Sequence, residues 1–62
     1  MRNWLKQERI KQGFTQENIA VACRISRSYY SMIEQGKRTP LPNTAKNIAE
    51  NLSIEDWTMF YK

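Results

Sequence analysis

Sixty-two residues, 40% of them hydrophobic, make one domain with a small core; a chain this short buries only roughly 60% of the surface its unfolded form exposes, so its stability is marginal. A single cysteine, Cys23, excludes an internal disulfide framework, and the absence of histidine leaves no ligand set for zinc, so neither metal nor cofactor is expected. The net charge is +4, no apolar run is long enough to span a membrane, and the N-terminal residues lack a signal-peptide core, which points away from membrane and export.

The stretch from Met1 to Gln12 predicts a first helix, with Trp4 and Leu5 as its apolar edge and Ile10 further on. Gly13 ends it, and Phe14 is expected to drop into the core as the linker residue. Trp4 reads as a core aromatic or, because a buried indole N–H needs a partner, as a contact for another molecule.

Residues 15 to 36, TQENIAVACRISRSYYSMIEQG, predict two short helices joined by a tight turn. Thr15 is an N-cap candidate, followed by apolar residues at Ile19, Ala22 and Cys23. Ala20 is small where a second helix has to cross, and Cys23 reads as a buried, reduced thiol. Asn18 stands where Glu or Gln completes a capping box, so the box is expected to be imperfect. Arg24 and Ile25 make the turn, Ser26 is a second N-cap candidate, and Arg27 to Gln35 forms the second helix. Gly36 ends it, since glycine takes the left-handed conformation without steric cost. Two helices so joined have helix-turn-helix geometry, in which the second helix is placed to enter a DNA major groove.

On that second helix, Ile25, Tyr30 and Ile33 form the expected core face, and Arg27, Ser28, Ser31 and Met32 the opposite one. Arg27 sits in the first turn, where a guanidinium can bond guanine O6 and N7 together. Ser28 can donate to or accept from either base type. Met32, one turn on, is a candidate for a thymine methyl or for packing. Tyr29 is expected to be half exposed, with its hydroxyl available to a phosphate. Lys37, Arg38 and Thr39 then form a short basic loop before Pro40, whose cations and N–H groups suit a phosphate backbone.

Leu41 to Leu52 predicts the next helix, with Pro42 in its first turn and Ala45, Ile48, Ala49 and Leu52 on one apolar face. Ser53 with Asp56 three residues on reads as a further capping signature, opening a short helix from Ile54 to about Tyr61. Trp57, Met59, Phe60 and Tyr61 are more apolar surface than a domain this small is expected to bury. Trp57, Phe60 and Tyr61 are therefore the expected interface of a homodimer. The charge is uneven: residues 1–14 carry +3, residues 24–39 carry +3, and residues 15–23 and 40–62 carry −1 each. The basic excess thus lies on the first helix and around the second helix of the motif, the pattern of a protein facing phosphates.

Gln16, Ala20, Ile25, Ser26, Arg27, Ser28, Ile33, Glu34, Gly36 and Lys37 together resemble the signature of the Xre/Cro-type, phage-repressor family, over about Leu5 to Leu52. The resemblance implies an all-α, compact five-helix, lambda-repressor-like DNA-binding domain with its helix-turn-helix in the second and third helices. It implies that Arg9, seven residues before Gln16, pairs with Glu34, two before Gly36, and so sets the angle of the recognition helix. It places Gln16 at a phosphate, lays the Lys37–Thr39 loop along the sugar–phosphate backbone, and favours pairing of two copies through the region after the fourth helix. It implies a reduced, cytoplasmic protein of bacterial or phage origin. Two positions depart from the pattern: Arg24 stands where glycine is usual, and Tyr30 where Ile, Leu or Val is usual. Whether Arg24 meets a phosphate or solvent is open at this level.

The function expected is a sequence-specific double-stranded DNA-binding transcriptional regulator, a repressor of phage or mobile-element type, reading an inverted-repeat operator as a dimer. A protein-interaction module with the same fold, antitoxin-like or an anti-repressor partner, is the alternative, favoured by the aromatic C-terminus. Catalysis is not expected, nor a small-molecule substrate: there is no histidine, no acid pair at useful spacing, no glycine-rich phosphate loop and only one thiol. The chain leaves no room for a separate effector domain.

Overall fold

The computed structural model describes residues 1–62 as four α-helices and one turn of 3-10 helix. They are α1 (Asn3–Lys11), α2 (Gln16–Cys23), α3 (Arg27–Gln35), α4 (Pro42–Asn51) and a C-terminal 3-10 turn over Trp57–Tyr61. Helix α2 sits between α3 and α4, α1 closes over α3, and the C-terminal turn folds back onto α4. No helix is long and apolar enough to cross a membrane.

Every element contributes to one core: Leu5 from α1; Ile19, Ala20 and Cys23 from α2; Tyr30 and Ile33 from α3; Ala45, Ile48 and Leu52 from α4 and its end; and Phe60 from the C-terminal turn. Trp4, Ile25, Tyr29, Ile54 and Trp57 pack around it, half-buried. Ala20 and Ala45 are fully buried, and their small side chains let the helices approach closely. Each buried Leu or Ile contributes about 1.5–3 kcal/mol relative to exposure, so few side chains carry most of the stability.

The local signals are those of the sequence, with some differences in who performs them. Thr15 Oγ1 accepts from Asn18 N at 3.0 Å, and Asn18 Oδ1 accepts from Thr15 N at 2.9 Å. The capping box is therefore complete, an amide oxygen taking the carboxylate's part. Ala22 is exposed, and the inner position of α2 belongs to Ala20. Ile10 is 56% exposed: α1 turns Leu5 and Arg9 inward, and the next residue lies about 100° away.

Phe14 does not enter the core. The residue is 37% exposed, and its backbone fixes the linker instead, with Phe14 O accepting from Arg9 Nη1 at 2.9 Å and Phe14 N donating to Arg9 O at 3.1 Å. The C-terminal element also differs. Ser53 is in the left-handed region (φ 55°), so it terminates α4 rather than opening a helix. Asp56 is the cap, accepting from Thr58 N at 3.0 Å and from the Thr58 hydroxyl, with Lys62 Nζ 2.9 Å from its other oxygen. The element it starts has five residues wound as 3-10 helix, the tighter form that short pieces adopt. That winding drops Phe60 into the core, 2% exposed and edge-on to Trp4 at 5.1 Å between ring centroids. Phe60 is thereby removed from the surface expected to meet a second copy.

Candidate nucleic-acid interface

Helix α3 presents the candidate site, and its position is determined at both ends. At its start, Ser26 Oγ accepts from Tyr29 N at 3.0 Å. The turn from α2 passes through Arg24 in the left-handed region (φ 58°, ψ 40°) and closes with Ile25 N donating to Ala20 O at 3.0 Å. A non-glycine residue there costs on the order of 1–2 kcal/mol. At its end Gly36 is left-handed (φ 79°), and the chain folds back so that Lys37 N and Arg38 N both donate to Met32 O, at 2.9 and 3.3 Å. The loop N–H groups of Lys37 and Arg38 are thus used within the protein. Only their side chains, both exposed, remain for a ligand.

Helix α3 is held to α1 by a buried ion pair. Arg9 Nε lies 2.6 Å from Glu34 Oε2, and Arg9 Nη2 donates to Glu34 Oε1 at 3.2 Å, a bidentate arrangement with both side chains almost excluded from solvent. Burial alone pushes the Glu34 carboxyl up, but the Arg9 guanidinium first, then the neighbouring Tyr30 hydroxyl and the Gln16 amide, outweigh it, and its pKa lies below the ordinary carboxylate value. The hydrogen bond to Glu34 in turn raises Arg9. The Tyr30 hydroxyl, fully buried beside the pair, makes no well-formed hydrogen bond. Desolvation first, and Glu34 second, hold it protonated.

Gln16 extends this network to the surface. Its Nε2 donates to Glu34 Oε1 at 3.3 Å. A carboxylate only accepts, so one amide N–H is used inward, and the second N–H and the amide oxygen are left for the outside. There Gln16 lines a shallow cleft of about 290 Å³ with Arg27, Ser28 and Ser31, all polar. Arg27 and Ser28 are exposed; Ser31, Tyr29 and Met32 are half-buried. Because Glu34 is turned inward, the segment 24–39 shows four exposed cations, Arg24, Arg27, Lys37 and Arg38, and no exposed carboxylate.

The cleft lies between the start of α2 and the outward face of α3, two helices joined by a turn through a left-handed residue, which is helix-turn-helix geometry. The helix-turn-helix family model matches residues 5–55. The chain is 50% identical to an uncharacterized HTH-type transcriptional regulator, YqaF, of Bacillus subtilis (strain 168), over 62 residues that make up all of this chain and 80% of the relative. The chain belongs to the Xre-type helix-turn-helix family. No solved structure matches it.

Within that family pattern the two departures have structural explanations. Arg24 takes the left-handed conformation that glycine usually supplies, and its side chain is exposed. Tyr30 fills the position of an aliphatic residue, with its ring in the core and its hydroxyl against the ion pair. Of the residues expected at an interface between copies, Trp57 is half-buried, 5.9 Å edge-on from Tyr61 and under Lys46 Nζ at 5.0 Å, and Tyr61 is 45% exposed. Sequence reasoning missed one residue altogether. Arg2 precedes every periodic signal, yet it contacts the end of α3, the basic loop and the C-terminal turn.

Proposed function

We propose that this chain is a sequence-specific double-stranded DNA-binding transcriptional regulator of repressor type, reading the major groove with α3. The observation that carries the reading is the outward face of α3: Arg27, Ser28 and Ser31 around a polar cleft, flanked by Arg24, Lys37 and Arg38, with the one acid of the segment folded inward. In this reading Arg27 bonds a guanine, Ser28 an adjacent base edge, and Met32 a thymine methyl at the rim of the groove. Gln16, Tyr29, Lys37, Arg38 and Thr39 meet phosphates. Gln16 does so with its remaining amide N–H, and Lys37 and Arg38 with their side chains alone, since their N–H groups are bonded to Met32 O. The name of the Bacillus subtilis relative, an HTH-type transcriptional regulator, supports the same assignment.

A second copy completes the reading. Leu41 (72% exposed) adjoins Pro40, whose carbonyl accepts from Tyr61, and Leu41, Tyr61, Met59 and Trp57 offer apolar surface near the end of the chain. Two copies joined there would address half-sites about 34 Å apart, one turn of DNA. The experiment is selection of binding sites from a random duplex pool at physiological salt. An enriched inverted repeat is expected. Enrichment of a single short site removes the dimer, and salt-sensitive binding without any enrichment removes sequence-specific regulation.

A further inference from the structure

Arg2 is cationic and adjoins the basic loop, which would suit it to a phosphate. Its hydrogen bonds rule that use out. Nη1 donates to Ile33 O at 2.6 Å and to Arg38 O at 3.1 Å. Nη2 donates to Phe60 O at 3.1 Å and to Thr39 Oγ1 at 3.5 Å. A guanidinium has five N–H groups, and its four terminal ones all face acceptors of the protein itself, three within 3.1 Å and the Thr39 hydroxyl more loosely at 3.5 Å. The guanidinium carbon also lies 5.8 Å from the Phe60 ring centroid. The Arg2 backbone N–H adds a bond to Glu34 O at 2.8 Å. One residue therefore joins the last turn of α3, the basic loop and the C-terminal turn.

Tyr61 holds the next residue of the same loop. Its hydroxyl donates to Pro40 O at 2.7 Å, and Pro40 is buried. Arg38, Thr39 and Pro40 are thus each tied to Arg2 or to the C-terminal turn, while the N–H groups of Lys37 and Arg38 are tied to α3. Neither Arg2 nor Tyr61 adds a contact that a ligand would need. What they supply is a loop already ordered before anything binds.

We propose that Arg2 and Tyr61 are positioning residues for DNA binding: by pinning residues 38–40 to the C-terminal turn, they hold the Lys37 and Arg38 side chains ready for phosphates. The proposal rests on the phosphate role of this loop given above. Ordering the loop during folding removes that cost from the binding step, so loosening it weakens binding without removing a charge. The effect is independent of DNA sequence, because the loop reads none.

The test uses the full chain and a labelled random-sequence duplex at low and physiological salt, well below each variant's unfolding temperature. Arg2→Lys keeps the charge but cannot bridge four acceptors. Tyr61→Phe keeps the ring and loses only the hydroxyl, and it carries the test should Arg2→Lys not fold. Each is expected to weaken binding about threefold to tenfold, the scale of ordering one or two side chains. On a Lys37→Ala/Arg38→Ala background the same substitutions are expected to have no further effect, which a merely structural role or a direct phosphate contact by Arg2 would not produce. A loss of full size on that background, or undiminished binding by folded Arg2→Lys and Tyr61→Phe, overturns the positioning role alone. If Lys37→Ala/Arg38→Ala itself leaves binding unchanged, the phosphate role of the loop falls and the positioning role with it.

Discussion

Glu34 is the residue that ties the outward face of α3 to the rest of the fold, although it points away from that face. It anchors Arg9 on one side and Gln16 on the other, so removing it leaves a buried guanidinium without its counter-ion and the Gln16 amide without its inward partner. Breaking a buried pair by removing one partner costs about 3–5 kcal/mol. A cycle on Arg9→Ala and Glu34→Ala, read by denaturant unfolding, should show strong coupling; additive losses would mean that the pair stabilises nothing. The same carboxyl makes stability pH-dependent. Its folded pKa lies below its ordinary value of 4.5, so its contribution is complete above that value and is lost as pH falls through the folded pKa. Glu34→Gln should be less stable than the wild type at neutral pH, and the two stability curves should converge on acidification. On the outer face, Arg27→Ala should relax preference at one or two base positions, costing about 1–3 kcal/mol of discrimination, in the same selection experiment. Uniform weakening across all sequences would instead make Arg27 a phosphate ligand.

At the scale of elements, each helix was legible where a short-range rule decides it. Thr15 and Ser26 mark helix starts by the chemistry of their hydroxyls and Gly36 marks an end by its freedom to be left-handed, and α3 runs over the residues that these marks enclose. The failures occur where a longer-range partner decides. Phe14 is apolar and follows a helix, but the backbone bonds to Arg9 turn the linker so that its ring faces out. The C-terminal aromatics follow a 3-10 winding, and no helical period tells which of Trp57, Phe60 and Tyr61 turns inward. Arg2 had no signal at all, because its partners lie more than thirty residues away. The boundaries themselves make a test. Gly36→Ala forces a side chain into the left-handed region and sets its Cβ 3.3 Å from the Met1 backbone nitrogen, so a loss of about 1–2 kcal/mol is expected. Arg24→Gly relieves the corresponding strain and should raise stability by up to about 1 kcal/mol, glycine's greater unfolded-state entropy offsetting part of the gain. Thermal unfolding of the two variants beside the wild type reads both shifts, and equal effects of one sign would refute the assignment of strain.

For the whole molecule, one small core carries everything. A domain of this size has on the order of 3–9 kcal/mol of stability, and truncating a single buried leucine removes about 2–5 of it. Phe60→Ala should therefore act as a core truncation, lowering the unfolding temperature sharply. Trp57→Ala, at a half-buried ring, should leave the fold and weaken self-association in sedimentation equilibrium. A wild-type chain that stays monomeric at high micromolar concentration would remove the dimer and leave these variants differing in stability alone. The inward turn of Glu34 has one more consequence at this scale. By burying the only acid of the segment 24–39 it leaves the exposed charges of that segment all cationic, while residues 40–62 carry a net −1, so the positive charge is concentrated around α3 and its loop. A polyanion is drawn to such a concentration of positive charge before any contact is made. Association would then be faster than for an uncharged surface, and added salt would slow it.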